Sequence, residues 1–324
     1  MTEPGLGRAA FADAEAAMAA RVSQAGIGGK LVVVRDREVL VDESYGGVDD
    51  DTPLSVASTA KWVTASTVLT LVDEGLLTLD DPISTWLPDL EGPVRDATLR
   101  QLLSHTSGVK QQQCIFDPGD ELASCTQRLL AAPLEFEPGS AFSYGNASYH
   151  VAAYLAEVVT GTDFQTLFRT RLAEPLGMTG TTWGYGETRN PTPASSMITT
   201  VHDTRAFLEM QLARGVYDGR RILSEEAVAE IERNQVAGYD TSGDFAVNIT
   251  GIPTYGLGTW RDVPDGDDAI AIMSGNGAGG YYPWIDRTHD AYGIVAVEDR
   301  RGAELAVPAS QEVAELAMEA TGRA

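Results

Sequence analysis

The chain has 324 residues, 43% of them hydrophobic and 22% charged, a composition ordinary for a globular protein of one large domain or two. Its net charge of −24 is not ordinary, and a surface this acidic repels polyanions, which excludes nucleic acid and anionic membrane as partners. No apolar stretch approaches the length of a membrane-spanning helix.

Residues 8–24 are Ala-rich with amphipathic spacing and predict a helix, ended by Gly26-Ile27-Gly28-Gly29. Residues 31–34 and 39–41 predict a strand pair about a charged turn. An extended segment, 53–57, then runs into a helical pattern over 62–74 with Val63, Val68, Leu69, Leu71 and Val72 on its apolar face. Ser58 stands at that junction, where free N–H groups and the positive end of the helix dipole favour developing negative charge. Lys61 is one turn on, within reach of the serine hydroxyl. A serine is a weak nucleophile until an adjacent amine, kept neutral by desolvation, activates it. Only three lysines occur, Lys30, Lys61 and Lys110, so one beside a helix-opening serine stands out.

Ser107-Gly108-Val109-Lys110 repeats the S-x-x-K spacing, but Gly108 lies between the pair and the segment is expected to be a helix end followed by a surface loop. Cys114 and Cys125 lie close together in a loop-like region, compatible with a local disulfide or with two thiols. Phe142-Ser143-Tyr144-Gly145-Asn146 is polar and glycine-bearing, which suits a functional loop better than a core. Asn146 either contacts substrate or caps the helical pattern after it. Residues 77–235 are mainly helical patterns between Pro/Gly turns. Strands return at 255–260, 269–273, 281–285 and 292–297, and residues 312–320 predict a closing helix. Tyr281, Tyr282 and Trp284 either line an apolar acyl pocket or pack their strand. Four scattered histidines, His105, His150, His202 and His289, show no metal-site spacing, and no G-x-S-x-G elbow occurs. Asp49-Asp50-Asp51 and Asp80-Asp81 are most simply solvated turns.

Several segments in order resemble the serine β-lactamase and DD-peptidase superfamily, most closely its class C-like branch, which includes family VIII esterases. They are Ser58-Thr59-Ala60-Lys61, Leu102-Leu103-Ser104-His105-Thr106-Ser107-Gly108, Pro138-Gly139 with Tyr144-Gly145-Asn146, and Pro175-Leu176-Gly177-Met178. The resemblance covers most of residues 30–300. It implies an α/β (α+β) fold, an antiparallel sheet flanked by helices plus an all-helical lobe. The element order places residues 1–78 and 236–324 in a discontinuous sheet domain and 79–235 in a mainly helical domain, and the resemblance puts the active site in the cleft between them.

The family's third motif, K-T-G or H-x-G, falls here on Gly275-Asn276-Gly277, or one residue earlier on Ser274-Gly275-Asn276, and neither supplies a cation. A lost charge-assisted contact to a substrate carboxylate is worth roughly 1.5–3 kcal/mol. The expected activity is therefore acyl transfer through a Ser58 acyl-enzyme to a carboxylic ester or amide. Lys61 and Tyr144 share the proton work, the sequence leaving open which is the base. The N–H groups of Ser58 and of Gly277 or its neighbour hold the oxyanion, and Asn146, Gly275, Asn276 and Gly277 contact substrate. The alternatives are a β-lactamase or DD-peptidase, and a penicillin-recognising protein without turnover. No cofactor or metal is expected, the partner is a small-molecule ester, amide or β-lactam, and the oligomeric state is open. Met1-Thr2-Glu3-Pro4 opens polar with no leader core after it, so a secreted or cell-envelope location rests on the cysteine pair, with a cytoplasmic one as the alternative.

Overall fold

The computed structural model describes residues 8–184, 186, 188–265 and 269–322. Its centre is a six-stranded antiparallel sheet built from both ends of the chain. The strands are β1 (Gly29–Arg35), β2 (Glu38–Tyr45), β3 (Trp260–Asp265), β4 (Ala269–Ser274), β5 (Tyr282–Asp286) and β6 (Ala291–Val297). Their order is β2-β1-β6-β5-β4-β3, with β1 paired to β6 in the register Val32↔Ile294.

The two faces follow from side-chain alternation along the strands. Leu31, Val33, Val295 and Val297 pack with Phe11, Met18 and Val313 under α1 (Ala12–Ala25) and α8 (Ala303–Gly322). Val32, Val34, Ile294 and Ala296 face the larger core, which runs on into the helical part of the chain. Gly26, at φ 66°, closes α1 in the left-handed conformation that glycine adopts without penalty.

The helix after Ser58, α2 (Ala60–Asp73), differs from the expected amphipathic one. Every residue from Ala60 to Leu71 is buried, so α2 is a central helix wrapped on all sides. Its polar residues are satisfied internally, Thr64 Oγ1 donating to the Pro193 carbonyl at 2.6 Å and Gln211 Nε2 donating to Ser66 Oγ at 2.8 Å. Around it stand α3 (Leu122–Ala131), α4 (Ala147–Thr160), α5 (Val201–Leu212) and α6 (Glu225–Glu232). Of these, α4 and α6 pack on α2, and α5 packs on β5 and β6 while also meeting α2 through Phe207 against Trp62 and Gln211 on Ser66.

Two further expectations change, and one left open is decided. Residues 255–260 are a tight turn closed by a Tyr255↔Trp260 bridge, and the strand begins only at Trp260. Gly258 in that turn, at φ 87°, lies so close to the start of α2 that a Cβ would stand 2.6 Å from the Lys61 carbonyl oxygen. The closing helix starts at Ala303 rather than at 312 and carries Pro308 inside it. Tyr281, Tyr282 and Trp284 are buried packing residues and line no acyl pocket, with Tyr281 bonding Thr204 and Trp284 lying against Gly293.

Candidate active site

Ser58 lies in a single 3₁₀ turn, Ala57–Thr59, directly before α2. Ala57 has φ 44°, a left-handed conformation costly for a residue with a Cβ, and turns the chain from the extended segment into the helix. Ser58 is half-buried, whereas Lys61, one turn later, is wholly buried. Its Nζ lies 3.1 Å from Ser58 Oγ, 3.1 Å from Asn146 Oδ1 and 3.2 Å from the Ala194 carbonyl oxygen. The rings of Tyr144 and Tyr149 flank the amine, their centroids 4.6 and 5.7 Å away. No carboxylate pairs with it among the described residues, and burial alone lowers its pKa from 10.5 to about 7.

A charged amine can donate to all three oxygens, and with the pKa lowered to about 7 the neutral amine is also accessible. The neutral amine has two N–H donors and one lone pair. Asn146 Oδ1 and the Ala194 carbonyl accept the two donors, which leaves the lone pair for the Ser58 hydroxyl proton.

Burial holds the Tyr144 pKa above the ordinary value, with the Ser58 side chain lowering it in part. Tyr144 is therefore a neutral phenol at rest. Its ring stacks on Trp260 at 5.2 Å and meets the His105 ring at 4.5 Å. Its backbone N–H donates to Asp244 Oδ2 at 2.8 Å. Asp244 also caps α7 (Phe245–Thr250) through its other oxygen.

His105 lies in the turn after Leu103, at φ 63°. The Gly145 N–H donates to its Nδ1 at 3.4 Å, so the ring proton belongs on Nε2. Burial, and then the neighbouring Lys61, push its pKa well below 6.5 and keep the ring neutral. His150 lies on α4 and is also buried, its Nε2 3.1 Å from Asn190 Oδ1.

Asn146 does not cap α4 with its side chain, which bonds Lys61 instead. The second S-x-x-K is not the surface loop expected, because Ser107 is 1% exposed and accepts the Val109 N–H, while Lys110 turns outward. Gly108 is held against the Phe136 carbonyl, where a Cβ would stand 1.9 Å from its oxygen.

The 275–277 segment continues β4 beside the Ser58 turn. Its glycines face that turn: a Cβ on Gly277 would lie 2.3 Å from the Val56 carbonyl oxygen, and one on Gly275 would lie 3.0 Å from Thr59 Cγ2. The Gly277 N–H donates to the Tyr281 carbonyl at 3.0 Å, so it is committed within the turn between β4 and β5. That N–H is therefore not free for the oxyanion role expected of Gly277 or its neighbour, and the next residue, Ala278, is exposed. The Asn276 side-chain amide is sealed from solvent with neither atom hydrogen-bonded.

Cys114 and Cys125 form a disulfide. The loop it fixes supplies carbonyls to the residues before Ala194: Asn190 Nδ2 donates to Cys114 at 2.9 Å and Thr192 Oγ1 to Ile115 at 2.8 Å. The loop therefore buttresses the strand of chain that holds Lys61. Gln111, Ala194, Asp244 and Trp260 are site residues that no sequence motif marks.

The sequence pattern of the beta-lactamase family matches residues 11–318. The chain belongs to the beta-lactamase family. Among curated relatives, esterase EstB of Burkholderia gladioli is 31% identical over 215 residues, 55% of this chain and 55% of EstB. Protein flp of Staphylococcus aureus (strain MRSA252) is 23% identical over 225 residues, 57% of this chain and 45% of flp. The chain thus matches about half the length of these relatives. A solved structure of a candidate beta-lactamase from Bacteroides dorei DSM 17855 is 30% identical, with a TM-score of 0.87, covering 96% of this chain and 99% of that one. A family VIII carboxylesterase, 20% identical at a TM-score of 0.74 over 98% of this chain and 99% of its own, has the same fold. The expected fold class, helices about an antiparallel sheet, is that of the family.

No group of three or more histidine, cysteine or carboxylate side chains suited to a metal ion occurs among the described residues. No described helix is long and apolar enough to cross a membrane.

Proposed function

We propose that this beta-lactamase family member is a serine hydrolase acting through a Ser58 acyl-enzyme on neutral carboxylic esters or amides. The observation that carries the reading is Lys61: a desolvated amine with a pKa near 7, its two donors accepted by Asn146 and Ala194, facing the Ser58 hydroxyl. Lys61 Nζ takes the Ser58 proton as Oγ bonds to the substrate carbonyl carbon. The N–H groups of Ser58 and Ala278 hold the resulting oxyanion. Tyr144 gives its phenolic proton to the leaving alkoxide or amine and recovers one from Lys61. Water then attacks the acyl-enzyme by the reverse proton path and releases the acid. Raised above 10, the Tyr144 pKa suits an acid better than a resting base.

The preference for neutral substrates rests on the 275–277 segment, which offers glycine backbone where a cation would meet a carboxylate. The names of EstB and of the family VIII carboxylesterase support the same reading. The catalytic groups come from the turn holding Ser58 with α2, the loop before α4 and the segment after β4, which supports dividing the chain into a sheet domain (1–78 with 236–324) and a helical domain (79–235). The disulfide supports an oxidising compartment, hence a secreted or cell-envelope location.

The test compares a short-chain p-nitrophenyl ester with a chromogenic cephalosporin. The ester should have the higher kcat/KM by roughly tenfold or more, the worth of one charge-assisted contact. Cephalosporin turnover equal to or above that of the ester would overturn the preference and favour a β-lactamase. Stoichiometric acylation without turnover would favour a penicillin-recognising protein.

A further inference from the structure

Asn146 precedes α4 in an unusual conformation. A residue at a helix start that caps with its own side chain has extended backbone angles and folds its oxygen back onto the N–H groups of the first turn. Asn146 has φ −110° and ψ −22°, and its side chain makes no capping bond. Another residue binds this terminus instead. Gln111 Oε1 accepts the N–H of Asn146 at 3.0 Å and of Ala147 at 3.2 Å. The same oxygen is the nearest group to Gly145, where a Cβ would stand 3.4 Å from it.

From this geometry we infer that Gln111 is a positioning residue of the reaction. By binding the backbone at the start of α4, it holds Asn146 in the helical conformation that sends Oδ1 to Lys61. Gln111 acts through Asn146 and need not touch substrate. Its own placement is fixed nearby: three residues on, Cys114 is tied to α3 by the disulfide, and Gln112 Nε2 donates to the Arg128 carbonyl on α3 at 3.0 Å. The chain from 111 to 114 is thus anchored to one helix while it binds the start of another. Without the Gln111 oxygen, Asn146 is free to relax to the extended conformation and cap α4 itself, and Lys61 loses an acceptor.

The proposal rests on the reading of Ser58 and Lys61 as nucleophile and base. Loss of the Asn146 acceptor removes a bond that favours the protonated amine, so the Lys61 pKa falls below its starting value near 7. Gln111 is exposed, so its replacement leaves the core untouched.

The experiment measures p-nitrophenyl ester kinetics against pH for wild type, Gln111→Leu, Gln111→Glu, Asn146→Ala, the Gln111→Leu/Asn146→Ala double variant and Ser58→Ala. Gln111→Leu should lower kcat by roughly tenfold with little change in KM, the worth of one hydrogen bond to a charged group. The acid limb of its kcat/KM profile should move to lower pH. Gln111→Glu keeps an acceptor at the helix N-terminus and should restore kcat to near wild type. In the Asn146→Ala background, Gln111→Leu should have almost no further effect, because the residue it acts through is gone. An effect confined to KM, or one that persists undiminished in the Asn146→Ala background, overturns the proposal. So does a Gln111→Leu variant indistinguishable from wild type. Turnover surviving in Ser58→Ala condemns the serine reading itself, whereas an inactive Ser58→Ala beside an unaffected Gln111→Leu condemns the Gln111 proposal alone.

Discussion

Replacing Lys61 by methionine should destroy activity and at the same time stabilise the fold. The side chain is wholly buried with no carboxylate partner among the described residues, and its pKa falls from 10.5 unfolded to about 7 folded. That difference corresponds to roughly 5 kcal/mol of preference for the neutral amine. The sign follows from proton counting. Below pH 7 the lysine is charged in both states and folding bears the whole desolvation cost. Between pH 7 and 10.5 the unfolded chain holds a proton that the folded one lacks, so stability rises with pH. Above 10.5 the cost is gone.

Methionine has similar length and no charge to desolvate, but it leaves Asn146 Oδ1 and the Ala194 carbonyl without their donor, at about 1 kcal/mol each. The net expectation at pH 7 is a variant more stable than wild type by about 2 kcal/mol. Urea unfolding of both proteins at several pH values, with the disulfide intact, measures this. The advantage should shrink by about 1.4 kcal/mol per pH unit above pH 7 and vanish before pH 10. A variant less stable than wild type at pH 7, with a gap that does not change with pH, would refute the view of Lys61 as a desolvated amine.

Three further outcomes follow from the same geometry. Tyr144→Phe should lower kcat by about 10²–10⁴-fold with little effect on KM, and wild-type kcat/KM should rise with a midpoint at about pH 7 and level off about one unit above it as Lys61 loses its proton; an unchanged rate in Tyr144→Phe would remove the tyrosine from the proton path. Replacing Cys114 and Cys125 together by serine opens a loop with a sequence separation of 11 and should cost roughly 2–3 kcal/mol in urea unfolding; a loss under about 0.5 kcal/mol would show that the loop is held by its other bonds.

What the sequence made legible was mostly what is local. Ser58 and Lys61 are three residues apart at a helix start, so their contact is fixed by helix geometry alone. Most strands were legible as apolar runs at both ends of the chain, whereas the pairing order of the sheet and the turn at 255–260 depend on contacts distant in sequence. The surroundings of α2 were not legible, because threonines and serines read as a polar face until tertiary partners such as the Pro193 carbonyl and Gln211 bury them. Asp244 and Gln111 escaped for a similar reason. Each acts through backbone N–H groups distant in sequence, and backbone donors leave no trace in residue identity. Gly277 shows the limit of motif reasoning: its lack of a side chain is explained by the Val56 carbonyl, yet its N–H is spent on Tyr281, which only the turn after β4 reveals.

The most direct test of the account is to find where the acyl group goes. The protein should be quenched in acid during turnover of a slowly deacylating p-nitrophenyl ester, or after treatment with a fluorophosphonate, digested, and analysed by mass spectrometry. The account predicts one adduct, on the peptide containing Ser58, absent from Ser58→Ala and undisturbed by Ser107→Ala. An adduct on Ser107 or another residue, or ester turnover that persists in Ser58→Ala, would contradict it.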